Sequence, residues 1–294
     1  MTASNNNSTP NPPTIEVAAG SGVCFGVRRA LELAEEALRA DRQVYCLGPL
    51  IHNPQEMARL AEKGFRVIGS LDEAGTGGAL LIRSHGLQPA VVAEACQRGL
   101  KIIDATCPLV RRAQTLAVEL HQAGYQVIVA GDAAHPEVCA LRGHVPAAVV
   151  VGNIEEVRRL TLSGRMALVA QTTFSPEKFR EMAAELVRRD FQEIRAVNTL
   201  CTDTVDRQEA AALLAGRVDV MFVIGGRNSA NTNRLTQRCA ERGVPTYHVE
   251  HAGEVLPEHL RSRRRVGVAA GASTPQWIIE DVCRRIKDLQ AGKP

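Results

Sequence analysis

Three pseudo-repeated α/β lobes, each with a mostly parallel sheet, are predicted by three features of the chain. Short apolar runs alternate with helix-like stretches, and no Asn-Gly type hairpin signal lies between them, which is the pattern of βαβ units. Cys24, Cys107 and Cys201 each follow such a run, and each is followed 28 positions later by a polar residue (His52, His135 and Ser229) beyond a strand-like run ending in Gly. A further apolar run in each copy ends in another polar group: Leu80 to Ser84 leads into His85, Ala167 to Ala170 into Gln171-Thr172-Thr173, and Val266 to Ala270 into Gly271-Ala272-Ser273. A repeat of this kind aims a cysteine and two polar loops per lobe at one place.

Taken in order, residues 1–13 are rich in Asn, Ser, Thr and Pro and read as a disordered tail. Each apolar run is read as a strand and each periodic stretch between two runs as a helix. Lobe 1, residues 14–100, has strands near 15–18, 44–47, 66–68 and 79–83, with helices near 27–40, 54–63 and 89–98. Lobe 2, residues 101–192, has strands near 101–104, 126–130, 148–151 and 165–170. Lobe 3, residues 193–290 with the C-terminal segment, has strands near 193–197, 219–224, 245–249 and 265–270. In parallel sheets the loops leaving the carboxyl ends of strands form the ligand crevice, and every polar residue picked out above lies on such a loop.

Composition narrows the function. With 294 residues at 45% hydrophobic the chain can bury a large core, and no run reaches the ~20 apolar residues of a spanning helix. The reading is no membrane. A net charge of +3 and 3% aromatic residues give neither a basic footprint nor stacking platforms, so no nucleic-acid partner is expected and a small acidic ligand fits better. The run Arg261-Ser262-Arg263-Arg264-Arg265 reads as a solvated turn before a strand, with docking of an acidic protein as the other reading. Eight cysteines without a secretion signal indicate a reducing, cytoplasmic setting. Cys46, Cys96, Cys239 and Cys283 read as small core hydrophobes, and Cys139, close to His135 and Glu137, as packing or chemistry.

Cys24, Cys107 and Cys201 fall at helix starts, where backbone N–H groups and the helix dipole favour a thiolate. Structural zinc sites normally close with four ligands and use close Cys-x2-Cys pairs, which this chain lacks. One widely spaced thiol per repeat suits an iron-sulfur cluster, and a cubane with three protein thiolates leaves one iron open to substrate. Three core cysteines placed by coincidence is the bland alternative. The polar loops offer His52, His85, His135, Ser229, Asn231 and Ser273, neutral donors that suit the oxygens of a diphosphate. Glu137, two residues after His135 and poorly solvated beside a negatively charged cluster, is a candidate general acid, or an acidic residue opening the next helix.

At these residues the chain resembles the 4-hydroxy-3-methylbut-2-enyl diphosphate reductase family. The resemblance rests on Gly22-Val23-Cys24-Phe25-Gly26-Val27, Ile51-His52-Asn53, Ser84-His85-Gly86, Asp104-Ala105-Thr106-Cys107-Pro108, His135-Pro136-Glu137-Val138, Gln171-Thr172-Thr173, the stretch from Asn228 to Leu235, and Gly271-Ala272-Ser273. It implies three α/β lobes around a central iron-sulfur site, a 4Fe-4S cluster bound by Cys24, Cys107 and Cys201 with one iron not held by a protein thiolate. It also implies that His52, His85, His135, Ser229, Asn231 and Ser273 bind the diphosphate, that Thr172 orders a hydrogen-bond network, and that Glu137 delivers the proton. The implied reaction removes the substrate hydroxyl as water, with two electrons from a donor protein such as ferredoxin or flavodoxin. Its products would be isopentenyl and dimethylallyl diphosphate. Two positions depart from the family pattern: Ala230 stands where a second serine is frequent, and Ala140 where glycine is common. A hydro-lyase using the open iron without net electron transfer, and a redox sensor keeping only the cysteines, are the other readings.

Overall fold

The computed structural model describes residues 14–40, 43–75, 77–162 and 164–292; the tail expected over 1–13 lies outside them. The chain begins with strand β1 (Thr14–Val17) and helix α1 (Phe25–Arg39), then β2 (Val44–Leu47), α2 (Pro54–Glu62), β3 (Phe65–Ile68) and β4 (Ala79–Ile82). Next come α3 (Pro89–Gln97), β5 (Lys101–Asp104), α4 (Pro108–Gln122), β6 (Gln126–Ala130), α5 (Pro136–His144) and β7 (Val149–Val151). Then follow α6 (Ile154–Arg159), β8 (Arg165–Ala170), α7 (Pro176–Val187), β9 (Glu193–Ala196) and α8 (Thr202–Ala215). The remainder is β10 (Val220–Ile224), α9 (Ala230–Ala240), β11 (Thr246–Val249), β12 (Arg265–Ala270) and α10 (Gln276–Gln290). Helices α2, α3, α4, α5 and α7 open on a proline, whose missing N–H costs nothing in a first turn. Asn53, Asn153, Ser175 and Ser229 cap α2, α6, α7 and α9 through their side-chain oxygens.

Among the described residues all strand pairs are parallel, in three four-stranded sheets ordered β3-β2-β4-β5, β7-β6-β8-β9 and β1-β12-β10-β11. The central strands β4 and β10 are buried along their whole length, which is why they read as unbroken apolar runs. Edge strands β1, β5 and β9 are largely accessible.

The chain divides into two compact units. Of the described residues, one comprises 14–22 and 207–292 and holds the β1-β12-β10-β11 sheet. Along β10 the side chains alternate: Val220, Phe222 and Ile224 pack with Ile278, Ile279 and Val282 of α10, while Met221 and Val223 pack with Leu214 of α8 and Leu235 and Cys239 of α9. The other unit, Val23–Asp206, holds the remaining two sheets. There α1 covers Val44, Cys46 and Leu81, and α4 and α5 cover Val127, Val129, Ala167 and Val169. Helices α6 and α7 cover Ile128, Met166 and Leu168 on the opposite face.

The expected strands are present to within a residue at either end, but three have partners other than those read from the sequence. Strand β5, taken as the opening of lobe 2, pairs with β4; β9, taken as the opening of lobe 3, pairs with β8; and β1, assigned to lobe 1, pairs with β12. A crossover helix lays the next parallel strand beside the one it left, so α3 carries the chain from β4 to β5 and α7 from β8 to β9. Periodicity locates a strand without naming its neighbour. Cys96, expected in the core, is exposed, while Cys46 and Cys239 are buried and Cys283 packs against a core edge. Within the arginine run, Arg263 donates to Tyr247 Oη at 3.1 Å and Arg265 pairs with Asp219 at 3.0 Å.

Candidate functional site

Each of the three cysteines stands where an edge strand's exit turns into a helix, half-buried and outside any disulfide. Cys24 is the N-cap of α1, and its Sγ accepts from the Val27 amide at 3.4 Å. Cys107 caps α4 ahead of Pro108, and Cys201 directly precedes α8. Backbone bonds fix the latter two: Cys107 N donates to Ser84 O at 3.0 Å and Cys201 N to Thr172 O at 2.8 Å. From α1, Arg29 donates to the carbonyls of Thr106 (3.3 Å) and Asp104 (3.1 Å), fastening the helix that Cys24 opens onto the loop of Cys107. Gly26 lies so close that an added Cβ would stand 2.8 Å from Cys107 Sγ. Burial raises the Cys107 thiol pKa, the amides of Leu109 and Val110 pull it down, and negative charge at Cys201 and Glu137 adds to the rise. Those contacts gather the three thiols and Glu137 in one region of the unit. A cationic group would relieve the mutual repulsion of such thiolates, which is the chemistry of a thiolate-bound metal cluster.

Glu137 sits in the first turn of α5 and is only 3% exposed. Its Oε1 accepts from the Thr172 amide at 2.7 Å and its Oε2 from Thr172 Oγ1 at 2.8 Å. Burial pushes its pKa up to about 7 against those two bonds, so the carboxyl keeps its proton to far higher pH than an ordinary glutamate. Thr172 is held in turn by the bond its carbonyl accepts from Cys201.

His52, His85 and His135 come from the loops after β2, β4 and β6, and their rings cluster with centroids 5.2 and 5.4 Å apart. One ring nitrogen from each lies within 4.8 Å of the other two. All three pKa values are lowered, first by burial: His135 to about 4, His85 well below the usual range, and His52 in the same direction. The imidazoles are therefore neutral donors and acceptors. His135 Nδ1 accepts from the Glu137 amide at 3.2 Å, which leaves the proton on Nε2. His52 Nε2 and His85 Nδ1 are buried and have no protein partner among the described residues.

The other unit groups Ser229, Asn231 and Ser273. Ser229 caps α9 by accepting from Thr232 N at 3.3 Å, and Asn231, one residue into the helix, is 7% exposed with both amide atoms unpartnered among the described residues. Thr232 wedges between two glycine turns: a Cβ on Gly225 (φ +150°) would meet its Oγ1 at 2.7 Å. At Gly271 the same oxygen is closer still, so the loop leading to Ser273 lies against the one carrying Ser229 and Asn231. Cys139 is half-buried and its Sγ donates to Ala133 O at 3.4 Å.

Sequence reasoning missed three residues that shape these sites. Gly26 sets the approach to Cys107; buried Thr199 bonds Ala170 through both its donor and its acceptor and so fixes the turn before Cys201. Arg83 is half-buried among the three histidine loops. The one signal for Arg83 was its place, a cation directly after the wholly apolar run of β4.

The family model described as LytB protein matches residues 15–287. A 4-hydroxy-3-methylbut-2-enyl diphosphate reductase of Pelobacter propionicus is 46% identical over 274 residues, covering 93% of this chain and 97% of that relative. The reductase of Aquifex aeolicus is 43% identical over 285 residues, covering 95% and 98%. A solved structure of (E)-4-hydroxy-3-methyl-but-2-enyl diphosphate reductase, the terminal enzyme of the non-mevalonate pathway, shares 42% identity with a TM-score of 0.72, over 94% of this chain and 99% of that one. The Plasmodium falciparum enzyme, 24% identical with a TM-score of 0.86 over 94% and 87%, is similar in fold.

Proposed function

The chain belongs to the LytB protein family, and on that premise we propose that it is a 4-hydroxy-3-methylbut-2-enyl diphosphate reductase. It removes the hydroxyl of its substrate as water and yields isopentenyl and dimethylallyl diphosphate, the last step of the non-mevalonate isoprenoid pathway. Two electrons and two protons enter for each water released. A donor protein such as ferredoxin or flavodoxin supplies the electrons, in a cytoplasmic setting that keeps the thiols reduced. No helix among the described residues is long and apolar enough to cross a membrane.

Family membership implies an iron-sulfur cluster, and Cys24, Cys107 and Cys201 are the residues that would hold it, as a 4Fe-4S cluster with one iron free of protein thiolate. When bound, the cluster would relay the donor's electrons and offer a Lewis-acidic iron for breaking the C–O bond. The observation that carries the reading is a buried carboxyl, Glu137, bonded through both oxygens to Thr172, whose carbonyl accepts from the Cys201 amide; burial raises the acid's pKa to about 7. Thr172 donates to both carboxylate oxygens, its amide to Oε1 and its hydroxyl to Oε2, so when Glu137 is protonated the hydroxyl turns to accept the acid's hydrogen instead. In that orientation Oγ1 accepts the proton of Glu137 as its own hydrogen passes to the leaving oxygen. His52, His85 and His135, neutral and partly unpartnered, present hydrogen-bond donors to the diphosphate, and Ser229, Asn231 and Ser273 add theirs.

The test is turnover of the anaerobically purified protein with reduced viologen as donor. Glu137→Gln keeps the shape of the acid and cannot donate its proton, so it should retain iron and bind substrate while losing most turnover. Wild-type kcat in that variant would remove Glu137 from the role.

A further inference from the structure

We infer that Arg83 supplies the formal positive charge of the diphosphate site, receiving the anion where the three histidine loops meet. The inference deepens the diphosphate reading above and rests on it.

Arg83 directly follows β4 and stands two residues before His85. Its guanidinium lies against the loop that carries His52: a Cβ on Gly48 (φ +74°) would meet Nη1 at 2.9 Å and Cζ at 3.5 Å. It is electrostatically coupled to Cys139 of α5, the helix that His135 caps, and to Cys46 of β2. One cation therefore adjoins all three elements bearing the imidazoles. Among the described residues it has no carboxylate partner, and its Nε is buried without a hydrogen bond. Neither thiol neutralises it, since burial pushes Cys46 up to about 12 and Cys139 donates its hydrogen to Ala133 O. A half-buried guanidinium without a counter-ion is costly unless an anion completes the site.

The neighbours agree in sign. The charge of Arg83 helps lower the pKa of all three, next after burial at His52 and after burial and the charge of His52 at His85 and His135, so the imidazoles stay neutral and leave room for a polyanion. Exposed Asp132 acts in the opposite direction on His135 alone among the three. The same guanidinium opposes a divalent metal on the three rings, although their nitrogens are close enough to hold one. Arginine also offers a planar fork that matches phosphate oxygens.

The competing role is mechanical, with Arg83 only packing the loops together. Titration calorimetry with inorganic pyrophosphate on the cluster-loaded protein at about pH 8 separates the two, where the imidazoles are uncharged. Arg83→Gln should weaken pyrophosphate by roughly 10- to 100-fold, the loss of one charge-assisted contact, and raise KM more than it lowers kcat. Arg83→Lys, which keeps a point charge but not the fork, should bind pyrophosphate more tightly than Arg83→Gln and more weakly than wild type. Unchanged pyrophosphate affinity in Arg83→Gln, with a lowered thermal midpoint, would overturn the inference and establish the packing role. If wild type binds neither pyrophosphate nor substrate, the diphosphate reading falls and this inference with it; if wild type binds and Arg83→Gln binds equally, only the role of Arg83 falls. Should Arg83→Gln not fold, wild type decides. Between about 25 and 250 mM salt its pyrophosphate affinity should fall several-fold, and a flat response would refute a formal charge in the site.

Discussion

Replacing Thr172 by valine removes one atom group from the acid and little else. The hydroxyl bond to Glu137 Oε2, 2.8 Å long, is lost, while the amide bond to Oε1 at 2.7 Å remains and the side-chain volume is kept. Both bonds favour the ionised carboxyl, opposing the burial that brings it to about 7, so deleting one must raise the pKa further. A charge-assisted bond of about 1.5 to 3 kcal/mol corresponds to roughly one to two pH units. The alkaline limb of kcat/KM, which reports the free enzyme, should therefore move from near 7 to about 8 or 9. Turnover at neutral pH should move the other way and fall by roughly 100-fold, because the hydroxyl that hands on the proton is gone. Stability follows the same sign. The usual Glu pKa of 4.5 is raised in the fold, so the carboxyl's contribution is fully present below pH 4.5 and is lost as pH rises through about 7, a change of about 3 kcal/mol. Steady-state rates across pH with reduced viologen, together with the infrared carbonyl band of the protonated acid, measure both effects. An alkaline limb still near 7 in Thr172→Val would show that this hydroxyl does not set the acidity of Glu137 and would sink the relay.

Gly26→Ala improves helix propensity in α1 by roughly 0.5 to 1 kcal/mol, yet its Cβ would arrive 2.8 Å from Cys107 Sγ. The expected outcome is a cluster-free protein that melts no earlier than wild type but takes up less iron per chain on reconstitution; full iron content would mean that Cys107 Sγ has room to spare. In the other unit, Ser229→Ala should cost on the order of 1 to 3 kcal/mol in substrate affinity by Kd, through loss of the cap on α9 and of a donor. Ala230→Ser should change the same Kd by no more than about 0.5 to 1.5 kcal/mol, and the reverse ranking would mean that this loop meets its ligand differently.

What could be read from the sequence divides along a physical line. Central strands such as β4 and β10 were legible because burial on both faces demands unbroken apolar runs, and the cysteines and histidines because a repeat fixed their distance from those runs. The partners of β1, β5 and β9 were not, because accessible edge strands carry no mark of the neighbour they will bond. Glu137 was nominated as an acid from its place beside His135. What raises its pKa is burial, and what restrains it is Thr172, a long-range pairing that no local pattern contains.

Arg83 and Gly26 mark the limit more sharply. Each is ordinary in its own segment, one closing a strand and the other beginning a helix, and each acquires its role from atoms brought to it by a different loop. A repeat reveals residues that recur, and the determinants of charge and clearance in this fold are the ones that do not. The neutral donors around the histidines could be inferred without a cation because nothing periodic pointed to Arg83. The structure puts a guanidinium without an ion-pair partner, among the described residues, beside all three loops, and a polyanion held there by hydrogen bonds alone would leave that charge uncompensated. The affinity of the site for diphosphate should therefore depend on a residue outside the repeated pattern, and salt dependence is where that difference would first become visible.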